Sequence, residues 1–333
     1  MNSNDPDRDP FSERSASRWS AQHRLLGGRF RFVTNSRPLL RLINAAYRDL
    51  PPQTLRTPAP RFDLELRLGA RSSLGDARVP PPLEPFSGAG LFGGILNATN
   101  FALLSPATRS GLITVSRDLL SLPYHLRYEL LEFAVCTLAS RAQGLLSLHA
   151  ACVGHAGRGL LLMGSGGAGK STLALHCALQ GMEFLAEDAA FVDPVRMLVT
   201  GVPNFVHVRA DAVASIEHLA LAARVRAAPM IKRRSGVRKF EVDLRPLGCR
   251  LARRPLRLAG VVFLSSRRAG AAAQLLPLSR ERLQQRFVAA QGYATLLPGW
   301  GSFRRQFDRL PGYELRRGQH PSESAVALRH LLG

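Results

Sequence analysis

The stretch RGLLLMGSGGAGKSTLALHCALQG (158–181) constrains this chain more than any other. An apolar run breaks into glycines and restarts as an apolar, helix-forming segment that ends at Gly181. Gly164-Ser165-Gly166-Gly167-Ala168-Gly169-Lys170-Ser171 satisfies G-x-x-x-x-G-K-[ST] in full, at the strand-to-helix junction the pattern requires. Glycines let backbone N–H groups turn inward around phosphate oxygens, and the following helix adds its positive end. On this reading Lys170 reaches the β- and γ-phosphates, the Ser171 hydroxyl ligates Mg²⁺, and Thr172 belongs to the phosphate-binding set.

MEFLAED (182–188) follows after a single helix and reads as a strand ending in two carboxylates. An acid at the carboxyl edge of a strand beside a phosphate loop is placed to hold a metal or to activate a hydroxyl. Asp188 is the candidate for Mg²⁺ and Glu187 for the proton. So early an acidic strand points to compact kinases, in which positioning and charge neutralisation do most of the chemistry.

Upstream, LLSLHAACVG (145–154) and RGLLLMG are two apolar runs joined by the turn-like HAG. With the loop and LAED they form SLHAACVGHAGRGLLLMGSGGAGKS followed one helix later by Leu185-Ala186-Glu187-Asp188. This arrangement resembles HPr kinase/phosphorylase and its kinase-like relatives. In that family a Ser-x-His-Gly/Ala strand, a tight turn and a second strand lead into the loop, and paired acids follow. The resemblance covers about 145–210 and extends weakly through LAGVVFLSS (258–266). It implies a phosphoenolpyruvate-carboxykinase-type P-loop domain, an α/β fold with a mixed sheet flanked by helices. It also implies His149 near the γ-phosphate, Glu187 in the place of an aspartate that takes the hydroxyl proton, and ATP with Mg²⁺ as reactants. Beyond the acids, where such kinases carry a glutamate-arginine-glycine segment, this chain has Lys232-Arg233-Arg234-Ser-Gly236-Val-Arg238-Lys239. The implied class is therefore a divergent serine kinase acting on a protein or peptide, peptide modification included. A shikimate-type small-molecule kinase and a nucleotide-gated binding protein are the competing readings.

The same basic segment reads as a mobile loop before the alternating FEVDL, with Arg238 and Lys239 as candidates for contacting phosphate. Arg209, after VPNFVHV, is a weaker one. His155 and His176 read as turn and helix-surface residues.

Residues 1–22 lack periodicity and apolar mass and read as a disordered tail. Residues 23–144 read as a mixed α+β module for substrate recognition or subunit contacts, a homo-oligomer being one option. Within it RFDLELRLG (61–69) and GLITVS (111–116) read as strands, VPPPLEPFSGAG (79–90) as a loop, and 124–144 as a helix capped by Gly144. Residues 145–333 form the nucleotide domain, ending in a helical C-terminus.

Composition narrows the setting. The net charge of +21 invites a polyanion, but only three of the 45 basic residues are lysines and the arginines are scattered, which fits GC-rich coding. No nucleic-acid partner is expected. Four cysteines without metal spacing read as buried free thiols. A polar N-terminus and no apolar run of about 18 residues point to a cytoplasmic protein with no membrane partner.

Overall fold

The computed structural model describes residues 19–69, 74, 79–270 and 272–333. The chain is α/β, with mixed sheets flanked by helices. Its described residues divide into two compact units, one within 19–23, 30–48 and 61–138, the other within 24–29, 49–60 and 139–333. Among the described residues no helix is long and apolar enough to cross a membrane.

A seven-stranded sheet occupies the N-terminal half, in the spatial order Trp19–Leu25, Gly28–Thr34, Arg61–Leu68, Ser110–Val115, Asn100–Ser105, Leu91–Asn97, Glu84–Gly88. Arg61–Leu68 alternates as its sequence predicts, burying Phe62, Leu64 and Leu66. Phe30 stacks on Phe62 at 4.6 Å, and helix Arg37–Tyr47 covers this face with Leu39, Ile43 and Tyr47. Ser36 caps that helix by accepting from Leu39 N, with a proline in its first turn.

Three expectations need correction here. Residues 19–22, expected within a disordered tail over 1–22, belong to the strand Trp19–Leu25; residues 1–18 lie outside the described residues. That strand pairs with its neighbour across Leu26-Gly27, both at positive φ, the turn geometry that matches strand twist. The proline-rich 79–90 contains the strand Glu84–Gly88, which tolerates Pro85 because it lies at the sheet edge. The 124–144 segment is helical but not uniformly α. Pro123–His125 runs through a π turn at Leu126–Leu131, where Glu132 N donates five residues back to Arg127 O, into helix Glu132–Gln143. Gly144, at φ +67, follows it.

The nine-stranded sheet of the second unit is what positions the site. Its main path runs Glu183–Ala186, Ala151–His155, Arg158–Met163, Leu256–Arg268, Leu198–Thr200, Ala190–Asp193, Leu146–Leu148. Gly312–Arg317 pairs with Leu256–Arg268 as well, and Gln274–Pro277 pairs with Gly312–Arg317. Both faces are covered. Leu160 and Leu162 point into a core with Leu173, Cys177 and Leu328, whereas Leu161 and Met163 point into one with Phe263, Phe287 and Phe303. That explains the unbroken apolar run: burying each such side chain contributes about 1.5–3 kcal/mol.

Strand directions gather the carboxyl ends. Arg158–Met163 and Gly312–Arg317 each run parallel to Leu256–Arg268. Glu183–Ala186 is antiparallel to Ala151–His155, itself antiparallel to Arg158–Met163. Two reversals restore the direction, so all four strands end at one edge, where open α/β sheets bind ligands. The C-terminal segment is less helical than expected: besides helices Arg280–Gln291, Trp300–Phe307 and Pro321–Leu332 it holds the strands Gln274–Pro277 and Gly312–Arg317.

All four cysteines are free; Cys152 and Cys177 are buried, but Cys136 and Cys249 are only partly so.

Candidate functional site

The glycine loop leaves strand Arg158–Met163 and enters helix Lys170–Leu179. Gly167 and Gly169 adopt φ of +80° and +96°, which residues with a Cβ rarely adopt. A Cβ on Gly169 would also come within 3.0 Å of Arg317 Nη1. No side chain caps the helix, so its first N–H groups face the loop. Lys170, only 8 % exposed, donates from Nζ to Gly164 O at 2.7 Å and to Ser165 O at 3.4 Å. Burial lowers its pKa, against the attraction of Asp188 and Glu187.

The upstream apolar run is two strands, Leu146–Leu148 and Ala151–His155, broken at His149. Buried Gln291 takes the place of a strand neighbour there: its amide donates to His149 O and its carbonyl accepts from His149 N, both at 2.9 Å. Tyr293 Oη accepts from the same N–H at 2.9 Å. This clamp fixes the backbone of His149, whose Nδ1 lies 3.2 Å from Asp188 Oδ1. Asp188 also lies 3.9 Å from Arg233 Nη1.

Glu187 is buried, unlike its neighbour. Burial raises its pKa, a hydrogen bond with Ser171 lowers it, and the charge of Asp188 raises it. Its Oε2 lies 2.5 Å from His207 Nδ1, and His207 Nε2 lies 3.4 Å from Glu241 Oε1. Burial pushes His207 down to about 4, chiefly favouring the neutral ring. A neutral imidazole carries one N–H and two carboxyls flank it, so the chain Glu187–His207–Glu241 has a proton to share.

The basic segment is not a loop but a hairpin. Met230–Lys232 pairs with Arg238–Asp243, turning at Gly236 with φ +80°. Arg238–Asp243 pairs in turn with Phe205–Arg209, placing His207 opposite Glu241 and Arg209 opposite Lys239. Those four side chains share one face, and Val206, Val208 and Val242 enter the core on the other. Arg238, one residue from Lys239, therefore points away from the site and is exposed; only Lys239 reaches it. Burial lowers the Lys239 pKa. Arg233, rather than Arg238, lines the cavity beside Asp188. Arg209 also lines the site, but it is bound to Asp211 by two hydrogen bonds, at 3.1 and 2.7 Å.

A cavity of about 490 Å³ collects these groups, within the range of small-ligand sites. His149, Gly166, Gly167, Ala168, Gly169, Lys170, Ser171, Thr172, Glu187, Asp188 and Lys239 line it; Gly164 and Ser165 serve through their carbonyls behind Lys170. Sequence reasoning missed His207, Glu241, Arg317 and Ser324. For His207 a signal existed, since the alternation VHVR sets the imidazole opposite two valines. No local pattern marks Arg317 or Ser324.

The residues present fit Mg²⁺. Ser171 and Asp188 offer hard oxygens, and Glu187 is bonded to Ser171. Among the described residues no cluster of three or more His, Cys, Asp or Glu could cage a metal. Mg²⁺ needs no such cage, because it is held by one or two carboxylates together with phosphates and waters.

His176 is not on the helix surface. It is 4 % exposed, with Nε2 2.9 Å from Ser215 Oγ and its ring against His320 at 5.4 Å. Burial, aided by His320, pushes it from 6.5 to about 4. Between these values the unfolded chain binds a proton that the folded chain refuses. The stability from this group is complete above pH 6.5 and is lost as pH falls toward 4. Denaturant titrations should show wild type losing stability faster over that window than His176→Gln, by up to about 1.4 kcal/mol per pH unit. Equal slopes would contradict this.

No protein-family model and no curated protein matches the chain.

Proposed function

We propose that this protein is an ATP-dependent kinase that phosphorylates a serine hydroxyl on a protein or peptide, with a P-loop domain of the HPr kinase/phosphoenolpyruvate-carboxykinase type. The observation that carries the reading is the shared cavity: the glycine loop with Lys170, the acids Glu187 and Asp188, and His149 all line it. The resemblance of SLHAACVGHAGRGLLLMGSGGAGKS and LAED to HPr-kinase-like proteins supports it further.

The loop N–H groups and Lys170 bind the polyphosphate and offset its charge. Ser171 and Asp188 would hold Mg²⁺, which when bound neutralises charge on the phosphate oxygens. Glu187 takes the proton of the serine hydroxyl; the serine oxygen forms a bond to the γ-phosphorus as the bond to the β-phosphate oxygen breaks, releasing ADP. His207 and Glu241 hold the Glu187 carboxyl in place. His149, pinned by Gln291 and paired with Asp188, orients that acid. Lys239 and Arg233 supply positive charge beside the acids.

The test is to incubate the protein with Mg²⁺ and γ-labelled ATP, together with serine peptides in one series and small alcohols in another. Label is expected in acid-stable phosphoserine. Label confined to small alcohols would instead favour a shikimate-type enzyme. ATP binding with no transfer to any acceptor would reduce the protein to a nucleotide-gated binder.

A further inference from the structure

The acids lie to one side of the glycine loop, two strands away; on its other side, also two strands away, ends Gly312–Arg317. From there the chain passes through Gln319 into helix Pro321–Leu332, which packs its Leu328 and Leu332 into the core shared with the loop helix. His320 caps that helix in a reciprocal pair with Glu323, which fixes its first turn.

Three polar atoms of this segment are buried without a hydrogen-bond partner, Arg317 Nε, Glu323 Oε2 and Ser324 Oγ, and the first and last belong to residues that line the cavity. Ser324 is 1 % exposed, lines the cavity, and its hydroxyl has no hydrogen-bond partner. Arg317 also lines the cavity; its Nε is buried without a partner, and it pairs with no carboxylate among the described residues. Its Nη1 lies against Gly169, the last glycine of the loop. Leaving such groups unsatisfied costs stability, and on the wall of a cavity a ligand can supply the missing partner. Leu173, Ala212 and Pro321 give the same cavity apolar lining.

We propose that this segment is the nucleoside end of the site, with Arg317 on the polyphosphate and the Ser324 hydroxyl on the ribose or base. The apolar lining takes the flat face of the base, and Gln319 offers an amide in the same cavity. A guanidinium at the loop suits phosphate oxygens, and a lone buried hydroxyl suits a single ribose or base polar group.

The proposal rests on the nucleotide reading above, and the test separates the two. Binding of ATP and of inorganic tripolyphosphate is measured by calorimetry for wild type, Ser324→Ala and Arg317→Gln. Ser324→Ala should weaken ATP about tenfold and leave tripolyphosphate unchanged, the discrimination of a lost single hydrogen bond. Arg317→Gln should weaken both ligands by tenfold or more. Because the serine hydroxyl has no partner in the protein, Ser324→Ala should melt at or above the wild-type temperature while its ATP-induced rise in melting temperature shrinks. Unchanged ATP affinity in Ser324→Ala, or equal loss for both ligands, overturns the nucleoside assignment while leaving nucleotide binding intact. Failure of wild type to bind ATP at all overturns both.

Discussion

Replacing Lys170 with methionine is expected to lower kcat/KM for phosphoryl transfer about a thousandfold, or about 4 kcal/mol of transition-state stabilisation. The ammonium is buried and bonded to Gly164 O and Ser165 O, so it is held at the centre of the loop before any phosphate arrives. A donor fixed in this way loses nothing to reorganisation when charge develops on the moving group. Methionine is of similar length and apolar, so it fills the same space without a charge to bury. The loop loses its internal tie as well, and nucleotide affinity should fall with the rate. Lys170→Arg should rescue little, because a planar fork does not fit where a single ammonium meets two carbonyls. Steady-state kinetics with calorimetry reads both effects, and a methionine variant within tenfold of wild type would refute the assignment.

Glu187→Gln is the sharper test of chemistry. It should reduce kcat about a thousandfold while ATP affinity stays near wild type, since a general base supplies about 10²- to 10⁴-fold. The amide preserves volume and can still hydrogen-bond to His207 Nδ1, so the buried chain through Glu241 survives. What it cannot do is accept a proton. Single-turnover measurement with saturating ATP isolates that step. A Gln variant that transfers phosphate at the wild-type rate would remove Glu187 from the mechanism and leave the hydroxyl's proton to solvent.

Neither variant alters the fold argument, which rests on strand directions rather than on any one side chain. The loop, the acids and Arg317 meet because four strands end at the same sheet edge. Only part of that was legible beforehand. The loop could be read because it is contiguous: the eight residues 164–171 must all be present and must join a strand to a helix. The acids could be read for a similar reason, as they close the very next strand. His149 came only through resemblance, since nothing local distinguishes it from a core histidine; its backbone is held by Gln291, 142 residues away.

The basic segment shows where linear reading fails. Arg238 and Lys239 are adjacent, which in a loop would make them equivalent candidates. Pairing with Phe205–Arg209 makes that stretch a strand, and alternation sends one inward and the other out. His176 failed for a related reason. Its helix is covered on more than one side, so no face remained for solvent.

The sequence alone determined what short-range physics controls: the glycine turn, its strand and helix, the acid pair, and the alternating strand 61–68. Each follows from periodicity or backbone freedom within about twenty residues. Tertiary structure decided which distant groups complete the site: His207, Arg233, Arg317 and Ser324 line the cavity, and Glu241 backs His207. Strand register and sheet order place them there, and those depend on how whole faces are buried together, which no local window contains.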